Sequence, residues 1–183
     1  MAEKHNDDVF KEIKTAGFDV DMVKANTLLE ALPYIQRFRG SVIVVKYGGS
    51  AMLDDTLKHN VIKDVALLKL IGMKPIIVHG GGKEINKWVR LTGKEPKFVN
   101  GLRVTDKETA DVVQMVLAGK INKSLVNLIQ IKGGKAIGIS GLDGHMIEAE
   151  VKDERLGFVG RITNVDVTPV LDVLEKGYIP VVS

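Results

Sequence analysis

Two apolar runs that each end in bare glycines constrain this chain most. One is Val42-Ile43-Val44-Val45-Lys46-Tyr47-Gly48-Gly49-Ser50, the other Ile76-Ile77-Val78-His79-Gly80-Gly81-Gly82. A short continuous apolar run followed by a helical pattern reads as a buried strand of a parallel sheet. Each run then opens into a loop of unobstructed backbone amides, which is how a chain makes an anion-binding concavity. One of the loops carries a lysine at its mouth. That pairing suggests phosphate chemistry between two substrates held side by side.

Composition sets the outer limits. The 183 residues, 45% hydrophobic, suffice for one domain with a real core. No apolar run approaches the ~20 residues of a membrane span. The segment from Met1 to Asp8 is polar and lacks the apolar stretch of a signal peptide, so a cytoplasmic location is expected. The absence of cysteine excludes disulfides, thiolate metal sites and cysteine nucleophiles. The four histidines (His5, His59, His79 and His145) have no metal-ligand spacing, and no metal site is expected. The 26 basic and 23 acidic side chains are interspersed and leave a net charge of +3. That pattern points away from nucleic acid and membrane partners.

Residues 1–40 read as a helical extension. Val9, Phe10 and Ile13 share one helical face before Gly17, and residues 7–17 form a candidate first helix. A second helical stretch runs from about Asp21 to Phe38, with Met22, Ala25, Leu28, Leu29 and Leu32 on a stripe. Pro33 is expected to kink or restart it, and Gly40 to end it.

From Ser41 strand and helix alternate. Strands are expected over 42–46, 75–79, 135–140, about 146–151 and about 178–182. Asp54 caps a helix of roughly 55–71, with Leu57, Val61, Val65 and Leu68 inward and Gly72 at its end. A helix from about Lys83 buries Ile85, Trp88 and Val89. Phe98 to Val104 is a hairpin, because Asn100-Gly101 tolerates positive φ at both turn positions. Thr105 to Glu108 reads as a capping box that launches a helix to about Leu117. Another helix runs from about Asn122 to Ile131. Asp143-Gly144 is a second hairpin turn, and a short helix lies near 169–175. The alternation predicts an α/β sandwich with a mainly parallel sheet and both glycine loops at the carboxyl ends of its strands. The chain stops after an apolar strand, where a crossover helix would ordinarily follow, which suggests a piece of something longer.

The motifs admit specific chemistry and bland alternatives. Lys46, at a strand end, offers a compact charge with rotatable donors to a moving phosphoryl group, with Gly48 and Gly49 presenting amides beside it. The alternative is a solvated lysine next to a tight turn. Gly80, Gly81 and Gly82 lead into a helix N-terminus that favours a carboxylate or phosphate. The alternative is a flexible connector. His79 reads as a hydrogen-bonded structural histidine rather than a base. Arg103, on the hairpin, matches a carboxylate in bidentate fashion, or is simply a solvated strand residue. Asp143-Gly144-His145 reads as a turn rather than a catalytic group. Neither G-x-x-x-x-G-K-[ST] nor G-x-G-x-x-G is present: Gly82-Lys83 precedes Glu84, and Gly119-Lys120 precedes Ile121.

Taken together and in order, Lys46-Tyr47-Gly48-Gly49, His79-Gly80-Gly81-Gly82 and Asn100-Gly101-Leu102-Arg103-Val104-Thr105 resemble the amino acid kinase superfamily, and within it the acetylglutamate kinases. Glu30 to Ile35, Met115 to Lys123, Leu156 to Gly160 and Gly177 to Val182 agree, so the resemblance runs from about Ala25 to the last residue. It implies a three-layer αβα sandwich and ATP-dependent phosphorylation of the side-chain carboxylate of N-acetyl-L-glutamate, in arginine biosynthesis. By position, Lys46 would be catalytic and touch the transferring phosphoryl group, with Gly48 and Gly49 donating amides to it. Gly81, Gly82 and Arg103 would bind the acceptor. ATP would come with Mg2+.

Many relatives place proline after the three glycines where this chain has Lys83, a substitution that could add positive charge near the anion. The resemblance implies that residues 41–183 are an acceptor-binding lobe. The nucleotide lobe would be absent, with the adenine pocket and the remaining catalytic residues beyond Ser183, and the 183 residues alone would be inactive. It also implies a homo-oligomer, a dimer or a hexamer built through the N-terminal helix, and feedback inhibition by arginine. Another carboxylate or carbamate kinase, or a non-catalytic acceptor-binding or oligomerisation module, are the alternatives.

Overall fold

The computed structural model describes residues 19–52 and 54–183. The candidate helix over residues 7–17 lies outside them. The chain falls into two compact units that divide between Gly40 and Ser41.

In the first unit, helix α1 spans Val20–Phe38 and begins at Asp19, whose carboxylate accepts a hydrogen bond from the Asp21 N–H at 3.0 Å. It runs through Pro33 without a break, so the expected kink or restart does not divide it. Met22, Leu28, Leu29 and Leu32 on its apolar stripe are exposed.

The second unit is built on a four-stranded parallel sheet. Its strands are β1 (Val42–Tyr47), β2 (Lys74–His79), β5 (Ala136–Ile139) and β8 (Ile179–Val182), in the order β1-β2-β8-β5. Alternation along each strand sends side chains to opposite faces. Tyr47, Ile77, Ile179, Val181 and Ala136 face one side, where they pack with Ile62 and Val65 of α2 (Asp55–Leu70) and Leu125 and Ile129 of α5 (Asn122–Ile131). Ile76, with Ile139 and Val182, faces the other side, against Met146 and against Val170 and Leu174 of α6 (Thr168–Glu175). Helices therefore cover both faces, the layering of an αβα sandwich. Asp54 caps α2 through the N–H groups of Thr56 and Leu57, at 2.8 and 3.1 Å.

Several expectations give way to tertiary context. β1 reads as a buried strand, yet it is the sheet edge, and Val42 and Val44 on its second face are exposed. Leu57 is exposed rather than inward. In α3 (Gly82–Leu91), Ile85 and Val89 are buried but Trp88 is exposed. The Trp88 ring lies along the surface because its indole N–H donates to Glu84 Oε1 at 2.9 Å.

The Asn100-Gly101 hairpin joins β3 (Phe98–Val99) to β4 (Leu102–Arg103), with φ of 50° and 79° at its two turn residues. The following helix, α4 (Lys107–Gln114), is capped by Asp106, which accepts from the Thr109 N–H at 2.8 Å, and not by Thr105. Thr105 is occupied elsewhere. It forms a parallel bridge with Gly157, its N–H donating to Leu156 O and its carbonyl accepting from Phe158 N–H. Nor do two separate helices follow. α4 continues through a π-helical stretch, Met115–Ile121, directly into α5. The Asp143-Gly144 turn is not a hairpin either: β6 (Ile147–Val151) pairs antiparallel with β7 (Gly160–Val165), a strand the apolar pattern does not announce because it is exposed throughout.

Lys94 ties the loop after α3 to the start of α4, with Nζ at 2.7 Å from Asp106 and 2.6 Å from Glu108. Its ammonium, followed by the hydroxyl and N–H of Thr109, holds the Asp106 carboxyl well below the usual carboxylate range. A carboxyl depressed in the folded state stabilises the fold above its unfolded value, about 3.9, and loses that contribution as the pH falls further. Urea midpoints followed from about pH 5 to about pH 2 are therefore expected to fall less steeply for Lys94→Met than for the parent chain. Ile129, fully enclosed between α5 and the sheet, gives the larger stability effect: Ile129→Ala is expected to cost about 2–5 kcal/mol by chemical denaturation.

Candidate functional site

The parallel register of β1 on β2 sets Lys46 opposite Val78 and Tyr47 opposite His79. Both strands end together, and both glycine loops leave the sheet at the same edge. They are joined there: the Gly80 N–H donates to the Tyr47 carbonyl at 3.3 Å, one residue beyond the ladder.

The loops enclose a cavity of about 460 Å³ whose lining includes Lys46, Gly48, Gly49, Gly80, Gly81 and Gly82. Three further lysines face it: Lys58 from α2, Lys83 from α3 and Lys120 from the π-helical stretch. Among the described residues, Glu84 is the one carboxylate in the lining. Its burial would raise its pKa, but hydrogen bonds from Trp88 and Lys120, with the charges of Lys120 and Lys87, outweigh that and keep it below the usual carboxylate value. Glu84 is thus an anion held by Lys120 at 3.2 Å, and Lys120 also lies 5.2 Å from the Trp88 ring centre. Four lysines against one already paired carboxylate leave a strongly cationic hollow. Of the sequence candidates, Lys46, Gly48, Gly49, Gly81 and Gly82 are brought together in it, and Lys83 stands beside them.

Gly81 is tightly packed, and a side chain there would make its neighbours shift. A Cβ there would collide with the ends of Ile121 and Leu117, the latter at 2.8 Å. These two side chains come from the π-helical stretch, whose wider turn presses them onto the glycine loop. Such turns recur at functional sites. They also form a wall between this cavity and a second one of about 390 Å³, lined by Leu117, Ser140, Phe158 and Arg103 among others.

Arg103 is half-buried rather than solvated. It stacks 4.8 Å from the Phe98 ring centre, and its Nη2 donates to Asn86 Oδ1 at 2.6 Å and to the Gly82 carbonyl at 3.3 Å. Burial lowers its pKa, and its Nη1 is buried without a hydrogen-bond partner among the described residues. It does not share the first cavity with the lysines, but it touches that cavity's rim through Gly82.

His79 is enclosed. Burial lowers its pKa despite a hydrogen bond to Gly80, so it is neutral near pH 7, and both ring nitrogens have partners. Asp143 is a turn residue, accepting from the Ser140 N–H and hydroxyl. Among the described residues no three His, Cys, Asp or Glu side chains gather as a metal site. Lys58, Glu84, Asn86 and Lys120 escaped sequence reading, because ordinary charged and polar residues on helix surfaces carry no local signal of convergence.

Residues 41–183 match the family model described as the amino acid kinase family. Over 173 residues the chain is 51% identical to an acetylglutamate kinase of Thermoanaerobacter sp. (strain X514), covering 93% of this chain and 58% of that one. It is 53% identical to an acetylglutamate kinase of Clostridioides difficile (strain 630), covering 90% and 58%. The chain thus spans 58% of the length of these relatives. Among solved structures, smu.665 from Streptococcus mutans UA159 superposes with a TM-score of 0.70 at 29% identity, over 77% of this chain and 57% of that one. N-acetylglutamate synthase from Neisseria gonorrhoeae, crystallised with coenzyme A and N-acetyl-glutamate, shares the fold, with a TM-score of 0.71 at 22% identity over 86% and 37%.

The contact at Gly81 is open to test. Gly81→Ala is expected to destabilise the fold by about 1 kcal/mol, because the ends of Ile121 and Leu117 must shift. Shortening the opposing side chain in Gly81→Ala/Ile121→Val is expected to recover part of that loss in a double-mutant cycle read by urea denaturation.

Proposed function

The chain belongs to the amino acid kinase family, and from that premise we propose that it supplies the acceptor side and the phosphate-contacting lysine of an ATP-dependent kinase acting on the side-chain carboxylate of N-acetyl-L-glutamate. The observation that carries this reading is the convergence of both glycine loops and four lysines on one cavity. The chemistry needs little else from the protein. A carboxylate acceptor is already ionised at neutral pH, so no general base is called for. One of its oxygens attacks the γ-phosphorus of ATP, the bond to the bridging oxygen breaks, and ADP departs, leaving an acyl phosphate. Catalysis is then in-line positioning and neutralisation of charge.

In this reading Lys46 stabilises the transferring phosphoryl group, assisted by the amides of Gly48 and Gly49. Gly81 and Gly82 hold the acceptor. Arg103 clamps its α-carboxylate, and the unpaired buried Nη1 supports a demand there for an anion. Mg2+ enters with ATP, as part of that substrate. Assembly into dimers or hexamers, inhibition by arginine and a cytoplasmic site of action belong to the same proposal. Among the described residues no helix is long and apolar enough to cross a membrane.

The test is an ADP-release assay on the protein that contains this chain, with N-acetyl-L-glutamate, L-glutamate, L-aspartate and carbamate as acceptors. Preferential turnover of N-acetyl-L-glutamate is expected, and its absence would end the reading. Lys46→Ala is expected to lower kcat by about 100-fold or more with acceptor KM nearly unchanged, whereas Arg103→Ala raises acceptor KM. An unchanged kcat in the lysine variant removes Lys46 from the transition state.

A further inference from the structure

Below the glycine loop lie two buried polar side chains that the proposed reaction does not use. His79 is 5% exposed and Asn122 is 1% exposed. Asn122, at the start of α5, reaches the carboxyl ends of three strands at once. Its Nδ2 is 2.8 Å from the Val181 carbonyl of β8, 3.4 Å from the Ile139 carbonyl of β5 and 3.2 Å from His79 Nε2 at the end of β2. Its Oδ1 accepts from Lys123 Nζ at 3.3 Å, and that ammonium is fixed in turn by the Gly138 carbonyl at 2.9 Å. The sequence clears room for this amide. A Cβ on Gly138 would overlap Asn122 Oδ1 and stand 2.8 Å from its Cγ.

These contacts favour one protonation state of His79. The Val181 and Ile139 carbonyls only accept, so the Asn122 NH2, not its oxygen, must face them. The same NH2 lies against His79 Nε2, where a second donor would be repelled, so the contact favours an Nε2 without a proton, and two hydrogens are shared among three acceptors of which Ile139 O is the farthest. In a neutral imidazole the proton then sits on Nδ1. Nδ1 is 3.1 Å from the carbonyl of Gly80, to which it donates. In a trans peptide the carbonyl and the next N–H point in opposite directions. Holding the Gly80 carbonyl down onto the buried ring turns the Gly81 N–H away from it, on the side where Gly80 and Gly81 line the cationic cavity.

We infer that Asn122 and His79 are positioning residues that aim the Gly81 amide into the cavity by fixing the Gly80–Gly81 peptide plane. The inference rests on the proposed reading of the glycine loop as an anion site. It explains why a neutral, enclosed histidine precedes the three glycines, and it gives Asn122 a role although it touches no part of the cavity.

Nitrogen-15 NMR on the chain tests it, with inorganic phosphate as the probe. The imidazole of His79 is expected to show a protonated Nδ1 and a bare Nε2, and the Gly81 amide resonance is expected to move as phosphate is added. Two variants separate positioning from packing. His79→Asn keeps an amide donor near the Nδ1 position, and His79→Gln places its amide toward Asn122 without reaching Gly80. Loss of imidazole packing affects both, but His79→Asn is expected to bind phosphate within about threefold of the parent, and His79→Gln about tenfold or more weaker. Asn122→Ala, which removes the donor that disfavours a proton on Nε2, is expected to let both neutral tautomers form and to weaken phosphate several-fold. If Asn122→Ala does not fold, the two histidine variants still decide. An Nε2–H ring in the parent, or equal phosphate affinity in the two histidine variants, overturns the positioning role. A parent chain that takes up no phosphate defeats the anion reading of the loop and the positioning role with it. Phosphate binding in the parent that His79→Gln leaves intact defeats the positioning role alone.

Discussion

The in-register parallel pairing of β1 with β2 is the constraint on which the site depends. Six successive residues pair, from Val42 with Lys74 to Tyr47 with His79, and the Gly80 N–H extends the ladder to the Tyr47 carbonyl. Because strand side chains alternate, a slip of one residue would carry the whole set to the wrong face. Tyr47 and Ile77 fix the register from below, since both are buried in the cluster against α2 and α5. With register fixed, two loops that are more than thirty positions apart in the chain must open side by side. The anion site proposed above, made of backbone amides from two loops, needs that adjacency more than it needs any single side chain.

The long rod made of α4, the π-helical stretch and α5 does the rest of the positioning. Its buried residues, Val112, Val116, Leu125 and Ile129, anchor it both to α3 and to the sheet. Its wider central turn lays Leu117 and Ile121 on Gly81 and brings Lys120 to the cavity. The very next residue after Ile121, Asn122, gathers the ends of three strands. The same element thus sets the walls of the cavity and the polar floor under it. A single helix serves because its residues three and four apart share a face.

Much of this was legible. The strands, the caps at Asp54 and the Asn100-Gly101 turn each rest on local chemistry that survives folding: a continuous apolar run, a carboxylate before the first turn, a pair of residues that tolerate positive φ. What misled were features whose meaning depends on neighbours distant in sequence. Val42 and Val44 read as core but lie on an edge strand. Trp88 reads as core but finds a hydrogen-bond partner at the surface. β7 is invisible to an apolar pattern because neither of its faces is buried, and Thr105 loses its capping role to a bridge with Gly157. Among site residues, the glycines and Lys46 stood out by type and spacing, whereas Lys58, Glu84 and Lys120 became neighbours only when three helices met at one sheet edge.

The sequence by itself determined the layered α/β plan, the two glycine loops at the strand ends, and the family, because apolar periodicity and glycine placement are properties of consecutive residues. Only the tertiary structure decided the rest. It put four lysines around one hollow, set Arg103 against Asn86 and Gly82 at its rim, and enclosed a histidine with a partner at each ring nitrogen. Charge density, burial and protonation are fixed by distances between elements, and no stretch of consecutive residues contains those distances.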